Sequence, residues 1–340
     1  MECDARAASG GRAGKKFARV ILGRWKASCG ADRVRAPPMK LPAVIRALRP
    51  QQWVKNIFVL AAVAFARADA SVEHPEDFGD VLRSLAAFAA FCLGASAIYL
   101  VNDILDVESD RAHPTKRNRP IAAGEVGIPL AWTLSAACIA GALAMGWVAS
   151  GIQSVVGIVA AYIALNFAYS VKLKHMVLVD AFCIATGFLL RVQAGALAAE
   201  ADVSHWLMLC TLFLALFLAL CKRKAEIDLL GDERGSHRAN LMQYTPLFLD
   251  QMVTVLAACT IVCYTMYTVS PETARKFGPQ NGLIYTTPFV VFGLGRYLLL
   301  VSQQRGGGNP TRMLLGGDAI FVTNAVLWAA VTGLVVYDVI

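Results

Sequence analysis

The sequence predicts an all-α integral membrane protein, with about nine transmembrane helices in one bundle and a polar cavity on the cytoplasmic side. Three observations predict it. Of 340 residues, 57% are hydrophobic and only 16% charged, with a mean hydropathy of +0.53, whereas a soluble domain carries nearer a quarter charged residues. Apolar stretches close to the ~20 residues that a bilayer core requires recur almost to the C-terminus. Basic residues gather in alternate loops, as the positive-inside rule requires.

In chain order, residues 1–38 are rich in Gly, Ala and Arg and contain no apolar run of signal-peptide type, so they read as a basic, disordered tail. Residues 39–340 then form the membrane domain. Between Pro42 and Pro50, apolar Val44, Ile45 and Leu48 alternate with Arg46 and Arg49, which suits a short helix against anionic headgroups. Spans are expected at 44–66, 82–104, 128–148, 152–170, 177–198, 203–221, 249–269, 283–302 and 317–337.

Charge sets the orientation. Residues 1–56 hold 13 Lys/Arg against three acids, a balance of +10 that leaves −2 for the rest of a chain whose net charge is +8. A nucleic-acid partner would need that basic arm on a folded polar domain, and none follows, so nucleic acid is excluded. An inside N-terminus accounts for it. Loops with Arg111, Lys116, Arg117 and Arg119, with Lys172 and Lys174, with Lys222–Lys224, Arg234 and Arg238, and with Arg305 and Arg312 then lie inside. The nine cysteines include no CxxC pair and read as packing.

The polar chemistry gathers at the inner helix ends. In Asn102-Asp103-Ile-Leu-Asp106-Val-Glu-Ser-Asp110, the aspartates are spaced i, i+3, i+7 and share one helix face. Like charges emerging from an apolar helix need a cation, and hard oxygen ligands suit Mg²⁺, which keeps waters and bridges to phosphates. Asn102, Asp103, Asp106 and Asp110 are the candidate metal ligands. The run that follows carries Lys116, Arg117 and Arg119, the cations a diphosphate needs beyond its metal. Arg191 stands inside an otherwise apolar span. Intramembrane charge is costly, so it should face the cavity or a partner, for which Asp180 is the candidate. Tyr169 reads equally as a phosphate contact or part of an aromatic belt.

The segment NDILDVESDRAHPTKRNRPIAAG resembles the first aspartate-rich signature of the UbiA-type intramembrane prenyltransferases, nine-helix bundles that bind Mg²⁺–diphosphate. A second acidic signature is usual after the sixth span. Here the chain reads Cys221-Lys222-Arg223-Lys224-Ala-Glu226-Ile-Asp228 instead. With RPQQWVKN, YSVKLKHMVLVD and GFLLRVQAGALA, this resembles the decaprenyl-phosphate phosphoribosyltransferase branch over roughly residues 42–335. The resemblance implies Mg²⁺-dependent transfer of 5-phosphoribose from phosphoribosyl diphosphate to a polyprenyl phosphate, a step toward cell-wall arabinan. Two phosphorylated substrates demand extra cations, which Lys55, Lys172, Lys174, Lys222, Arg223 and Lys224 offer, the last three facing the aspartates. Prenyl transfer to an aromatic acceptor and membrane transport are the rival readings, and a homo-oligomer is left open.

Overall fold

The computed structural model describes residues 41–66, 78–150, 155–230, 243–277, 282–303 and 317–337. The basic tail at 1–38, and the loop positions Arg234, Arg238, Arg305 and Arg312, lie outside the described residues. The helices are α1 (Leu41–Leu48), α2 (Ile57–Ala66), α3 (Gly79–Leu105), α4 (Val107–Ala112), α5 (Ile128–Ser150), α6 (Val155–Val171), α7 (Val179–Ala198), α8 (His205–Leu230), α9 (Pro246–Val269), α10 (Pro271–Phe277), α11 (Thr287–Ser302) and α12 (Ala319–Val336). Among the described residues the regular structure is entirely helical. Seven helices among these residues are long and apolar enough to cross a membrane, and α6, with 17 residues, is a shorter apolar helix.

The expected first span at 44–66 is not one helix. It breaks into α1, a 3-10 turn at Pro50–Asn56 and α2, with Arg49 at φ 54°. The cause is local: Pro50 has no N–H to continue a helix, and its ring disfavours the α conformation at Arg49. A second interruption falls at Asp106, between α3 and α4.

The chain divides into two compact units. One combines α1 with residues 99–136, and its core packs Ala43, Val44 and Ala47 against Leu100, Ile104, Ile121 and Val126. The other contains residues 49–98 and 137–340. One of its cores gathers Val59, Ala87, Ala90, Phe91, Val159, Tyr162 and Ala194, where small residues let backbones approach. Gly195 is the extreme case, since a Cβ there would stand 2.1 Å from the carbonyl oxygen of Val59. A second core lies where α8 packs against α7 and α9, around Phe217, Leu220, Leu249 and Tyr297.

Helix ends are satisfied locally. Thr245 caps α9 by accepting from the Phe248 N–H, and Asp318 caps α12 by accepting from the Phe321 N–H at 2.8 Å. Glu200, at φ 53°, closes α7, with the Ala201 N–H reaching back to the Ala196 carbonyl.

Candidate active site

In the first unit, the aspartates sit where α3 gives way to α4. Asp103 and Asp110 are buried, and both accept from one nitrogen of Arg119: Nη1 lies 3.1 Å from Asp103 Oδ1 and 2.6 Å from Asp110 Oδ2. Arg119 reaches them because the chain folds back after α4. Gly124, at φ +76°, takes a left-handed conformation just beyond Arg119, and Arg111 fastens this segment by donating to the Ala122 carbonyl. Asp106 occupies the break itself and precedes the first residue of α4. Lys116 and Arg117 lie on the following turn with exposed side chains.

Two buried carboxylates thus converge on one cationic nitrogen. Among the described residues, no three acidic, His or Cys side chains gather closely enough to hold an ion alone. The donor set therefore fits a metal that takes two carboxylates and completes its shell with water and substrate oxygens, which is the habit of Mg²⁺. Asn102 and Asp106 stand within a turn as further oxygen donors.

In the second unit, Arg191 is 7% exposed and bonds through all three nitrogens. Nε donates to Asn56 Oδ1 at 2.7 Å, Nη1 to the Gly187 carbonyl at 2.7 Å and Nη2 to the Tyr162 hydroxyl at 2.8 Å. The rings of Phe91, Tyr162 and Phe188 surround it at 4.7–5.7 Å. Asp180, the expected partner, is engaged elsewhere, by Tyr244 and Arg223. The sequence reading missed Asn56 and Tyr162. Their signal was a buried amide and a buried phenol in apolar surroundings, groups that require partners. Lys55, beside Asn56, is half-buried, as are Tyr169 at the end of α6 and Lys174 in the turn before α7.

The basic triplet divides. Lys222 points outward, with its Nζ 4.0 Å from Glu226, and Lys224 pairs with Asp250. Arg223 is 1% exposed, 3.8 Å from Asp180 and 2.8 Å from Glu226, without the alignment of a hydrogen bond to either. The three residues thus do not present one face as expected. Arg223 is an internal cation, because consecutive helical residues diverge by about 100°.

An apolar cavity of about 420 Å³ also lies within the second unit, inside the usual range for ligand pockets. Phe58, Phe188, Leu214, Leu218, Tyr264 and Trp328 are among its walls. Phe188 joins it to the arginine, with its ring on the cavity and 5.3 Å from the guanidinium.

Comparison with known proteins now decides the ancestry. Residues 56–324 match the profile of the UbiA prenyltransferase family. The chain belongs to that family. The decaprenyl-phosphate phosphoribosyltransferase of Corynebacterium glutamicum is 38% identical over 309 residues, 90% of each chain. Its counterpart in Mycolicibacterium smegmatis is 35% identical over 313 residues, 90% of this chain and 96% of the relative. Among solved structures, a UbiA homolog from Archaeoglobus fulgidus bound to GPP and Mg²⁺ superposes with a TM-score of 0.63 at 17% identity, covering 87% of this chain and 99% of that one. The last comparison bears on fold alone, and it places this multi-pass chain in the UbiA fold.

Proposed function

We propose that this UbiA-family protein transfers 5-phosphoribose from phosphoribosyl diphosphate to a polyprenyl phosphate such as decaprenyl phosphate, releasing pyrophosphate. The observation that carries the reading is the full-length likeness, at 35–38% identity, to relatives named for that transfer. The second signature region supports it: Lys222-Arg223-Lys224 stand where an acidic motif would serve a second metal.

Asp103 and Asp110, with Asn102 and Asp106, would hold Mg²⁺ with the donor diphosphate, and the metal supplies charge neutralisation to the leaving pyrophosphate. Arg119 holds the two buried carboxylates close through its Nη1. Lys116 and Arg117 bind diphosphate oxygens from the turn. Lys55, Tyr169, Lys174, Lys222 and Lys224 hold the remaining phosphate groups, each through charge-assisted or phenolic hydrogen bonds. A lipid-phosphate oxygen forms the new bond to ribose C1 as the C1–O bond to pyrophosphate breaks, and the electron pair leaves with pyrophosphate. The attacking oxygen is already anionic near neutral pH, so no side chain need remove a proton. The apolar cavity suits part of a polyprenyl tail. The N-terminus and the site face the cytoplasm, where the basic loops lie.

The test is incubation of purified protein with phosphoribosyl diphosphate, polyprenyl phosphate and Mg²⁺, against prenyl diphosphate with an aromatic acceptor. Ribosylated lipid and pyrophosphate are expected from the first mixture, lost in excess EDTA and recovered with Mg²⁺. Turnover of the second mixture alone would overturn the reading in favour of prenyl transfer.

A further inference from the structure

We infer that Tyr244, together with Asp180 and Arg223, positions the basic segment Lys172–His175 by holding a strained turn at Leu178. The inference rests on the proposed phosphate-binding role of Lys174.

The strain is visible in the backbone. Leu178 has φ 63° and ψ −40°, and the Val179 N–H bonds to the Val177 carbonyl at 2.8 Å, two residues back. This is a γ-turn of the rarer hand, which an L-residue keeps only when its surroundings impose it. The imposing group is the Tyr244 hydroxyl, 66 residues away. It accepts from the Leu178 N–H at 2.8 Å and donates to Asp180 Oδ1 at 3.0 Å. Burial pushes the Tyr244 hydroxyl up to about 12, so it stays a donor through the neutral range. Tyr244 is 2% exposed, Asp180 0% and Arg223 1%, so neither substrate nor solvent competes for these groups.

The turn is wired to the basic segment. The Asp180 N–H bonds to the Met176 carbonyl and the Met176 N–H to the Leu173 carbonyl, both at 3.1 Å. The Ala181 N–H bonds to the same Asp180 oxygen that Tyr244 contacts. A shift at Leu178 therefore passes through two backbone bonds to the residue before Lys174. Arg223 completes the arrangement, with its Nε 3.8 Å from Asp180 Oδ2. A buried cluster of Tyr244, Asp180 and Arg223 thus lies beside one strained turn, next to exposed and half-buried lysines. Strain of this kind is kept where a side chain must be held in place.

The experiment compares the full-length protein with Tyr244→Phe, Lys174→Ala and the double variant, with Asp180→Asn as a second probe of the same bonds. Tyr244→Phe keeps the ring and removes only the hydroxyl. The KM for one phosphorylated substrate should rise about tenfold with kcat little changed, the scale of one lost hydrogen bond to a charged group. Lys174→Ala should raise the same KM, and adding Tyr244→Phe to it should do nothing more. Hydrogen exchange, which needs no substrate, should quicken at least tenfold at Leu178 and Val179 in Tyr244→Phe, and stay unchanged in the middles of α6 and α7. Additive effects on KM, unchanged exchange at Leu178, or loss of protection throughout α7 would each overturn the inference. If Tyr244→Phe does not fold, Asp180→Asn must show the same local exchange and the same KM effect, or the inference falls. Failure of the underlying reading looks different: the wild type then ribosylates no lipid whatever exchange shows, and the inference falls with it.

Discussion

Replacing Arg191 by Lys isolates the geometry of the guanidinium from its charge. The native side chain makes three bonds of 2.7–2.8 Å in different directions, to Asn56, Gly187 and Tyr162. An ammonium on a shorter stem keeps the charge and satisfies one of these acceptors well, because it lacks the planar fork. Two charge-assisted bonds are then lost. At the low end of roughly 1.5–3 kcal/mol each, the substitution costs about 3 kcal/mol. At about 2 °C per kcal/mol, the low end for larger domains, the melting midpoint should fall by roughly 6 °C. Thermal unfolding of detergent-solubilised protein, followed by size-exclusion chromatography, reads this directly. Asn56→Ala supplies the control: combined with Arg191→Lys it should lower the midpoint less than the two single effects together, since both remove the same bond. A midpoint within about 1 °C of wild type for Arg191→Lys, or strict additivity with Asn56→Ala, would refute a structural hub and leave Arg191 as a ligand contact alone.

Four further outcomes follow from the same structure. Gly195→Ala should abolish monodisperse protein on size-exclusion chromatography, because the new Cβ meets the Val59 backbone at 2.1 Å. Gly157→Ala, with open space at its Cβ, should be neutral or raise the midpoint, as Ala does inside helices. Arg119→Gln should lower the midpoint by leaving Asp103 and Asp110 uncompensated, and millimolar Mg²⁺ should recover more of the loss than it adds to wild type. Equal Mg²⁺ effects on both proteins would argue against a cation position between those carboxylates. Asp318 is held below the usual carboxylate range by its hydrogen bonds to Arg296 and then to the Phe321 N–H. A depressed folded pKa gives stability that is present above the unfolded value of about 3.9 and lost as pH falls through the folded one. The midpoint gap between wild type and Asp318→Asn should therefore narrow between about pH 5 and pH 2, and a gap independent of pH would refute the pairing.

What was legible in the sequence is what depends on neighbours in sequence. Apolar length placed most of the long helices to within a few residues, as with 82–104 against Gly79–Leu105 and 249–269 against Pro246–Val269, but α8 continues to Leu230, nine residues past the expected end at 221, and carries Lys222–Lys224 within the helix rather than in a loop. The average apolarity of 44–66 concealed the break at Arg49–Pro50, although the proline itself was a sufficient warning. The clustering of the aspartates at 103, 106 and 110 was readable because their spacing is local. That Arg119 should stand between two of them was not, since its reach depends on how the chain folds back between Ala112 and Arg119.

Arg191 and Arg223 show the limit more sharply. Each was recognisable as costly charge, yet the partners lie 135 residues away at Asn56 for one and 43 residues away at Asp180 for the other. No local pattern reports such pairings. For Arg223 one part was nevertheless available. Three successive helical residues turn through about 200° from first to last, so Lys222, Arg223 and Lys224 could never share one direction. Whichever side faced phosphate, another had to face the protein, and a cation facing the protein needs a buried anion. Asp180, the one acid within the expected fifth span, was the natural choice once Arg191 had found neutral partners. The basic triplet is therefore split by helix geometry: Lys222 and Lys224 turn outward, where they meet Glu226 and Asp250, and Arg223 turns inward beside Asp180.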